Sequence, residues 1–334
     1  MKKFLIIFSA LVLAVQIASA DSCGVVPVIN REFENAYINM IDSAEESVCM
    51  AYLYINRDAA TEKVKQALAR AVERKVKVRI ILEDSIPDNA KAAKELNSLG
   101  AEAKLDSPGA QIHCKLTVVD GKKVLIGSTN MSAKSINENN ETNIALYCPG
   151  AAGYFAGYFD GLWNNRGKNH KINYRQSECP KVVPLTDRQY FRGARNLILN
   201  ARSKIGLIVY NCRYYPKGNF NPENDLLNAL CSMARGGKDV RVILENSDFD
   251  EEVNRSNAES AEFLKSSGVK VRFDSRKTIT HAKLLLADGN AVIGSSNWGM
   301  AAYSKNYETN VALMGSPVAD TYWKYFDGLW EQCE

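Results

Sequence analysis

Two imidazoles, two ammonium groups and two carboxamides occur at matched spacing in this chain, a set suited to breaking a bond in an anion. Residues 113–130 read HCKLTVVDGKKVLIGSTN, and residues 281–298 read HAKLLLADGNAVIGSSNW. In each copy the His and the Lys stand two apart, so on an extended strand His113 with Lys115, and His281 with Lys283, share one face. Cys114 and Ala282 point to the other face, into a core. An Asp-Gly turn, a short apolar strand and a Gly-Ser-x-Asn end follow, the pattern of a hairpin that folds Asn130 and Asn297 back beside their histidines.

Phosphate is the group such a set suits. Lys115, Lys283, Asn130 and Asn297 can donate to non-bridging oxygens and stabilise the charge that develops in the transition state. One His can attack phosphorus while the other protonates the departing oxygen and then serves as base for water. Each ring also needs an acceptor on its second nitrogen, and Glu141 and Glu308, in the segments NNETN and NYETN, are the candidates. Asp120 and Asp288 head the turns, where an Asp bonds nearby backbone amides, so they read as structural. This chemistry calls for no metal and no cofactor, and the absence of a CxxC pair or close Cys/His cluster argues against zinc.

The elements that must position these groups are also written twice. IDSAEESVCMAYLYI (41–55) is echoed by LNARSKIGLIVYNC (199–212), KVKVRIILEDS (75–85) by GKDVRVILENS (237–247), and LGAEAKLDS (99–107) by SGVKVRFDS (267–275). After the two HxK stretches come NNETNIAL (139–146) and NYETNVAL (306–313), and YFDGLW recurs verbatim at 158–163 and 325–330. Six blocks in one order mean two copies of one domain. Each copy reads strand, helix, strand, helix, strand, hairpin, strand, helix. Helical patterns occupy about 58–74 and 88–99, then about 222–235 and 250–267. Alternation of helices with β-branched strands predicts an α/β class with a mostly covered sheet. Residues 1–20 are set apart as a leader, 21–165 form the first repeat, 166–188 a connector with two prolines, and 189–334 the second repeat. His170, among lysines of the connector, reads as solvated, and the YFDGLW blocks as aromatic core. Duplicated polar surfaces associate about a pseudo-twofold axis as a homodimer does, which would bring His113 and His281 to one site in a monomer.

Length and composition describe a globular chain. Its 334 residues are 46% hydrophobic and 24% charged, which excludes disorder. Lys2 and Lys3, the apolar run from Phe4 to Ile17 and the small residues Ala18-Ser19-Ala20 resemble a cleaved signal peptide. Export to the periplasm or medium is therefore the expectation, with a soluble mature protein. The net charge of +4 gives no global basic footprint for nucleic acid. Of eight cysteines, Cys49 and Cys114 read as buried small apolar residues, whereas Cys23, Cys148, Cys179 and Cys333 lie where bridges are expected.

The paired motif HxKxxxxDxxxxxxGSxN resembles the signature of the phospholipase D superfamily, the HKD phosphodiesterases. The first copy matches with His113, Lys115, Asp120, Gly127, Ser128 and Asn130. The second matches with His281, Lys283, Asp288, Gly294, Ser295 and Asn297, with one residue fewer between Asp and Gly, which shortens its hairpin loop. The resemblance covers essentially all of the chain after the leader. It implies two tandem α/β/α sandwich repeats with one active site at their interface and a phosphohistidine intermediate formed without metal. It further implies that His113 is the nucleophile and His281 the general acid, that the Lys and Asn pairs bind phosphate, and that Glu141 and Glu308 orient the rings with support from Ser128 and Ser295. Compact halves fit a phospholipase D or a nuclease alike, and near-neutral charge favours hydrolysis of phospholipid headgroups to phosphatidic acid, with peripheral membrane contact. A metal-independent endonuclease with a nucleic-acid substrate is the alternative. Cardiolipin synthesis and an inert phosphate-binding envelope protein rank lower.

Overall fold

The computed structural model describes residues 23–106, 108–164, 181–216 and 222–334. The first half runs β1 (Gly24–Ile29), α1 (Glu32–Asp42), β2 (Ser47–Tyr52), α2 (Ala59–Glu73), β3 (Lys77–Leu82), α3 (Asn89–Ser98), β4 (Glu102–Leu105), β5 (Lys115–Val119), β6 (Lys123–Gly127), α4 (Ala133–Asn137), β7 (Thr142–Tyr147) and α5 (Pro149–Asn164). The second half repeats it as β8 (Val182–Thr186), α6 (Gln189–Leu199), β9 (Lys204–Val209), α7 (Pro222–Arg235), β10 (Asp239–Leu244), α8 (Glu251–Lys265), β11 (Lys270–Phe273), β12 (Lys283–Ala287), β13 (Asn290–Gly294), α9 (Met300–Ser304), β14 (Thr309–Leu313) and α10 (Val318–Trp330). The leader at 1–20, His170 and Cys179 lie outside the described residues, as does most of the expected connector. Within that connector, residues 182–186 are the strand β8, which pairs antiparallel with β14 as β1 does with β7.

Each half builds one seven-stranded sheet in the same order, β1-β7-β6-β5-β2-β3-β4 and β8-β14-β13-β12-β9-β10-β11. Strands joined through crossover helices (β2, β3, β4 and β9, β10, β11) run parallel, whereas the strands of the HxK hairpins run antiparallel to their neighbours. Helices α1, α2 and α3 cover the outer face of the first sheet, and α6, α7 and α8 that of the second. Between the sheets lies a single core to which α5, α10 and the inner faces of both sheets contribute. The two α/β/α sandwiches are thus joined through one shared core, with β6 meeting β13 and β14 and β7 meeting β13. Among the described residues no helix is long and apolar enough to cross a membrane.

Two duplicated blocks lock each other. Arg79 of β3 lies over the rings of Phe159 and Trp163 and pairs with Asp160 at 2.9 Å, all from the first YFDGLW. Arg241 of β10 repeats this with Phe326, Trp330 and Asp327. The block's Tyr reaches across the joint instead. Tyr158 donates to Asp187 at 2.7 Å in the second half, and Tyr325 bonds Asn30 at 3.3 Å in the first. YFDGLW is therefore core on one side and an inter-half strap on the other.

Cys23 and Cys148 form a disulfide that ties the start of β1 to the end of β7. Cys49 and Cys114 are buried as expected. Cys333 departs from expectation: it is a buried thiol in the shared core, where burial pushes it up to about 12 and it serves as a small apolar group.

Candidate active site

Each HxK stretch is anchored at its far end by the turn Asp. Asp120 accepts backbone N–H groups from Glu46 at 2.8 Å and Ser47 at 2.9 Å, and Asp288 those of Arg202 at 2.6 Å, Ser203 at 3.0 Å and Lys204 at 3.1 Å. Both take a positive φ, 55° and 49°, which an Asp tolerates when its carboxylate is so held. The residue missing from the second motif is absorbed wholly in this turn. Val119 pairs Lys123 across three residues, Ala287 pairs Asn290 across two, and both hairpins keep five-residue strands.

The motif glycines are required by close approach. A Cβ on Gly127 would stand 2.5 Å from the Cα of Asn143, and one on Gly294 would stand 2.6 Å from the Cα of Asn310. The sheet side of the motif thus has room only for glycine before Ser128 and Ser295.

The residue before each His crosses into the other half. Ile112 forms a parallel bridge with Tyr307 and Thr280 one with Asn140. The backbone N–H of His113 donates to Tyr307 O at 3.0 Å, and that of His281 to Asn140 O at 2.9 Å. Because Tyr307 and Asn140 directly precede the glutamates, each carboxylate arrives at the histidine of the opposite half. Nδ1 of His113 lies 3.0 Å from both oxygens of Glu308, and Nδ1 of His281 lies 3.1 Å from both oxygens of Glu141. Ser128 Oγ donates to Glu141 and Ser295 Oγ to Glu308, each within its own half. A carboxylate on Nδ1 fixes the proton there and leaves the Nε2 lone pair for chemistry.

Lys115 Nζ donates to His113 O at 2.7 Å and Lys283 Nζ to His281 O at 2.6 Å, and both lysines are buried. Burial lowers Lys115 to about 8 and drives Lys283 well below the ordinary range, with Lys115 contributing repulsion to the latter. That repulsion places the two motifs' cations in one electrostatic neighbourhood. Burial also lowers His113, and His281 to about 4, against the opposing pull of Glu308 and Glu141 respectively. For the two glutamates burial pulls upward, but the facing His, a site Lys and the donating Ser outweigh it and hold both below the usual carboxylate range. The arrangement is a dry, cation-rich joint whose charges an incoming anion would stabilise. Asn130 is buried and Asn297 half-buried, and the Oδ1 of each has no hydrogen-bond partner.

Every residue singled out in the two motifs and the ETN segments therefore falls on this joint or on its turns. Sequence reasoning passed over Asn139 and Asn306, whose Nδ2 groups reach Glu141 and Glu308 at 3.3 Å, although both stood in the duplicated NNETN and NYETN. It also passed over Tyr210. Its ring packs against His281 with centroids 4.9 Å apart, under the Lys283 ammonium at 5.1 Å, and its hydroxyl donates to Asp250 at 3.1 Å. No repeat signals Tyr210, because Leu53 holds the matching position in the first half.

Two α/β halves that exchange glutamates across a double His-Lys joint define an enzyme of the phospholipase D superfamily. The chain belongs to the family described as cardiolipin synthase, PLD-like domain, whose model matches residues 37–163 and again residues 195–330. It is similar to a cardiolipin synthase of Clostridium perfringens, 22% identical over 335 residues that span 89% of this chain and 68% of the relative. A cardiolipin synthase of Listeria monocytogenes is 24% identical over 320 residues, covering 86% of this chain and 64% of the relative. The chain thus spans about two thirds of the length of these curated relatives. Among solved structures, the phosphatidylserine synthase of Haemophilus influenzae Rd KW20 superposes with a TM-score of 0.71 at 12% identity, covering 95% of this chain and 88% of that one. These relatives overturn the expectation of an exported periplasmic or secreted enzyme: the curated matches are synthases of a lipid, and export is not retained.

Proposed function

We propose that this chain is a phospholipid-modifying enzyme that transfers a phosphatidyl group through a phosphohistidine. The observation that carries the reading is the reciprocal pairing of His113 with Glu308 and His281 with Glu141 across one joint. Following the family pattern, Nε2 of His113 attacks phosphorus, forming a P–N bond as the P–O bond to the headgroup breaks. His281 gives its Nε2 proton to the departing alkoxide. The bound phosphodiester brings a negative charge beside His281, which favours the protonated ring against its burial. His281 then takes a proton from an acceptor hydroxyl, the acceptor oxygen attacks phosphorus, and the P–N bond breaks. Lys115, Lys283, Asn130 and Asn297 donate to the non-bridging oxygens throughout.

The names of the relatives support a lipid alcohol as the acceptor. Water in its place gives hydrolysis to phosphatidic acid, so the two outcomes differ only in what reaches the second histidine. Purified protein incubated with phosphatidylglycerol vesicles should yield cardiolipin and glycerol, and His113→Ala or His281→Ala should abolish both. Phosphatidic acid as the sole product would replace transfer by hydrolysis. Rapid cleavage of single-stranded DNA with inert vesicles would overturn the lipid reading.

A further inference from the structure

Behind each HxK stretch lies a pair of carboxyls that the chemistry above does not use. Glu245 is fully buried and Asp274 is 3% exposed, and the carboxyls are close enough that Asp274 raises Glu245. Two neighbouring carboxylates in a buried space repel each other, and a buried carboxyl oxygen that meets no donor is where a proton is favoured. Both carboxyls also accept backbone N–H groups. Glu245 Oε2 accepts the N–H of Thr280 at 2.6 Å and its Oε1 that of Ser247 at 2.8 Å, while Asp274 Oδ1 accepts that of Asn246 at 2.7 Å. Oδ2 of Asp274 is buried and has no hydrogen-bond partner.

The first half repeats the device. Glu83 Oε2 accepts the N–H of Ile112 at 2.6 Å, Asp106 Oδ1 accepts that of Asp84 at 2.7 Å, and Asp106 Oδ2 is again buried without a partner. Carboxylate oxygens of Glu83, Asp84 and Asp106 lie within 4.8 Å of one another. The four residues come from the duplicated ILEDS/ILENS and LDS/FDS blocks, so the sequence carried them twice.

Ile112 and Thr280 are the residues that bridge to the opposite half, and each directly precedes an active-site histidine. We propose that Glu83 with Asp106, and Glu245 with Asp274, are positioning pairs. Each keeps one proton between two carboxyls and, through the N–H of Ile112 or Thr280, sets the histidine strand in the joint. Loss of the shared proton puts two like charges in a buried space and pushes apart the strands that end there. The charged and titratable groups facing the second pair are Lys283 and Tyr210 beside Glu245, and Cys333 beside Asp274. Burial and the neighbouring carboxylate raise Glu245 to about 8, and burial with Glu83 raises Asp106 to about 7. Burial raises Asp274 as well.

The test is Asp274→Asn, which replaces the unpartnered Oδ2 by an amide N–H2 that donates to Glu245 without any shared proton. A raised folded-state value means stability that is full below the ordinary carboxylate range and lost as pH rises through about 8. The Tm of Asp274→Asn minus that of wild type should therefore grow in the variant's favour between about pH 5 and about pH 9. Infrared spectra of the wild type near neutrality should show protonated-carboxyl C=O bands, one of which disappears in the variant. Because the chain has three histidines, the His281 ring is readable by NMR in labelled protein. Its signals should shift near 8, far above the ring's own titration, as the pair and Lys115 ionise, and the shift should shrink to the Lys115 part in Asp274→Asn. Absence of a protonated carboxyl in the wild type, a pH-independent Tm difference, or a His281 titration near 8 that is the same in Asp274→Asn would overturn the proposal. If Asp274→Asn fails to fold, the wild-type infrared titration of the protonated-carboxyl bands still decides it. The positioning role rests on the function proposed above, but none of these readouts needs turnover. An inactive protein with the expected spectra would sink only that function.

Discussion

The carboxylate of Glu308 lies 3.0 Å from Nδ1 of His113, a residue 195 positions earlier in the chain and in the other half of the molecule. Glu141 and His281 repeat the relationship in reverse. Neither half can orient its own histidine. Glu308→Gln should therefore disable His113 in particular, and Glu141→Gln His281, each lowering kcat on bis-p-nitrophenyl phosphate by roughly 100-fold or more. With His113 as the nucleophile, Glu141→Gln quenched in alkali, where the P–N bond survives, should show accumulated phosphoenzyme at position 113 by mass spectrometry.

Lys115 titrates at about 8 because burial disfavours its ammonium. The charged form is therefore present below about 8 and lost above it, so kcat/KM should fall as pH rises through that value. A bound phosphate favours the ammonium, which places the alkaline limb of kcat higher than that of kcat/KM. Lys115→Arg should lower neutral activity through its different shape yet move the alkaline limb up, since guanidinium stays charged beyond about pH 12. Rate profiles over the alkaline range check both statements.

Asp288 is a turn anchor, and its loss should be felt in stability. Burial pulls its carboxyl upward, but the N–H groups of Arg202, Lys204 and Ser203 prevail and hold it at about 2. A depressed value means stabilisation that is full above 3.8 and lost as pH falls through about 2. Asp288→Ala should cost about 1–3 kcal/mol near neutrality and much less in acid, read by urea denaturation at several pH values.

Gly127→Ala and Gly294→Ala should each destabilise by about 1–3 kcal/mol through overpacking. The added methyl meets the backbone of Asn143 or Asn310 at the joint between β6 and β7, or β13 and β14. Calorimetric Tm values compared with those of an exposed control, Gly153→Ala, would separate this clash from loss of backbone freedom, since nothing lies within 4 Å of a Cβ at Gly153.

The linear sequence was enough for everything that repeats. Block order revealed two α/β halves, the two-residue step placed Lys115 with His113 on one face and Cys114 in the core, and the turn Asp could be read as structural because an Asp-Gly hairpin leaves its carboxylate beside backbone amides. Periodicity and turn chemistry are local, and local rules survive without a partner. Missed residues follow the same logic: Asn139 and Asn306 were within reach through their duplicated segments, whereas Tyr210 has Leu53 opposite and no repeat to expose it. Which glutamate serves which histidine was beyond local rules. That choice depends on Ile112 bridging Tyr307 and Thr280 bridging Asn140, contacts between segments about 140 to 195 residues apart that form only when two sheets close on the shared core to which α5 and α10 contribute. The folding of two like halves onto one core, which no single segment encodes, is what turns a pair of hairpins with polar faces into one site.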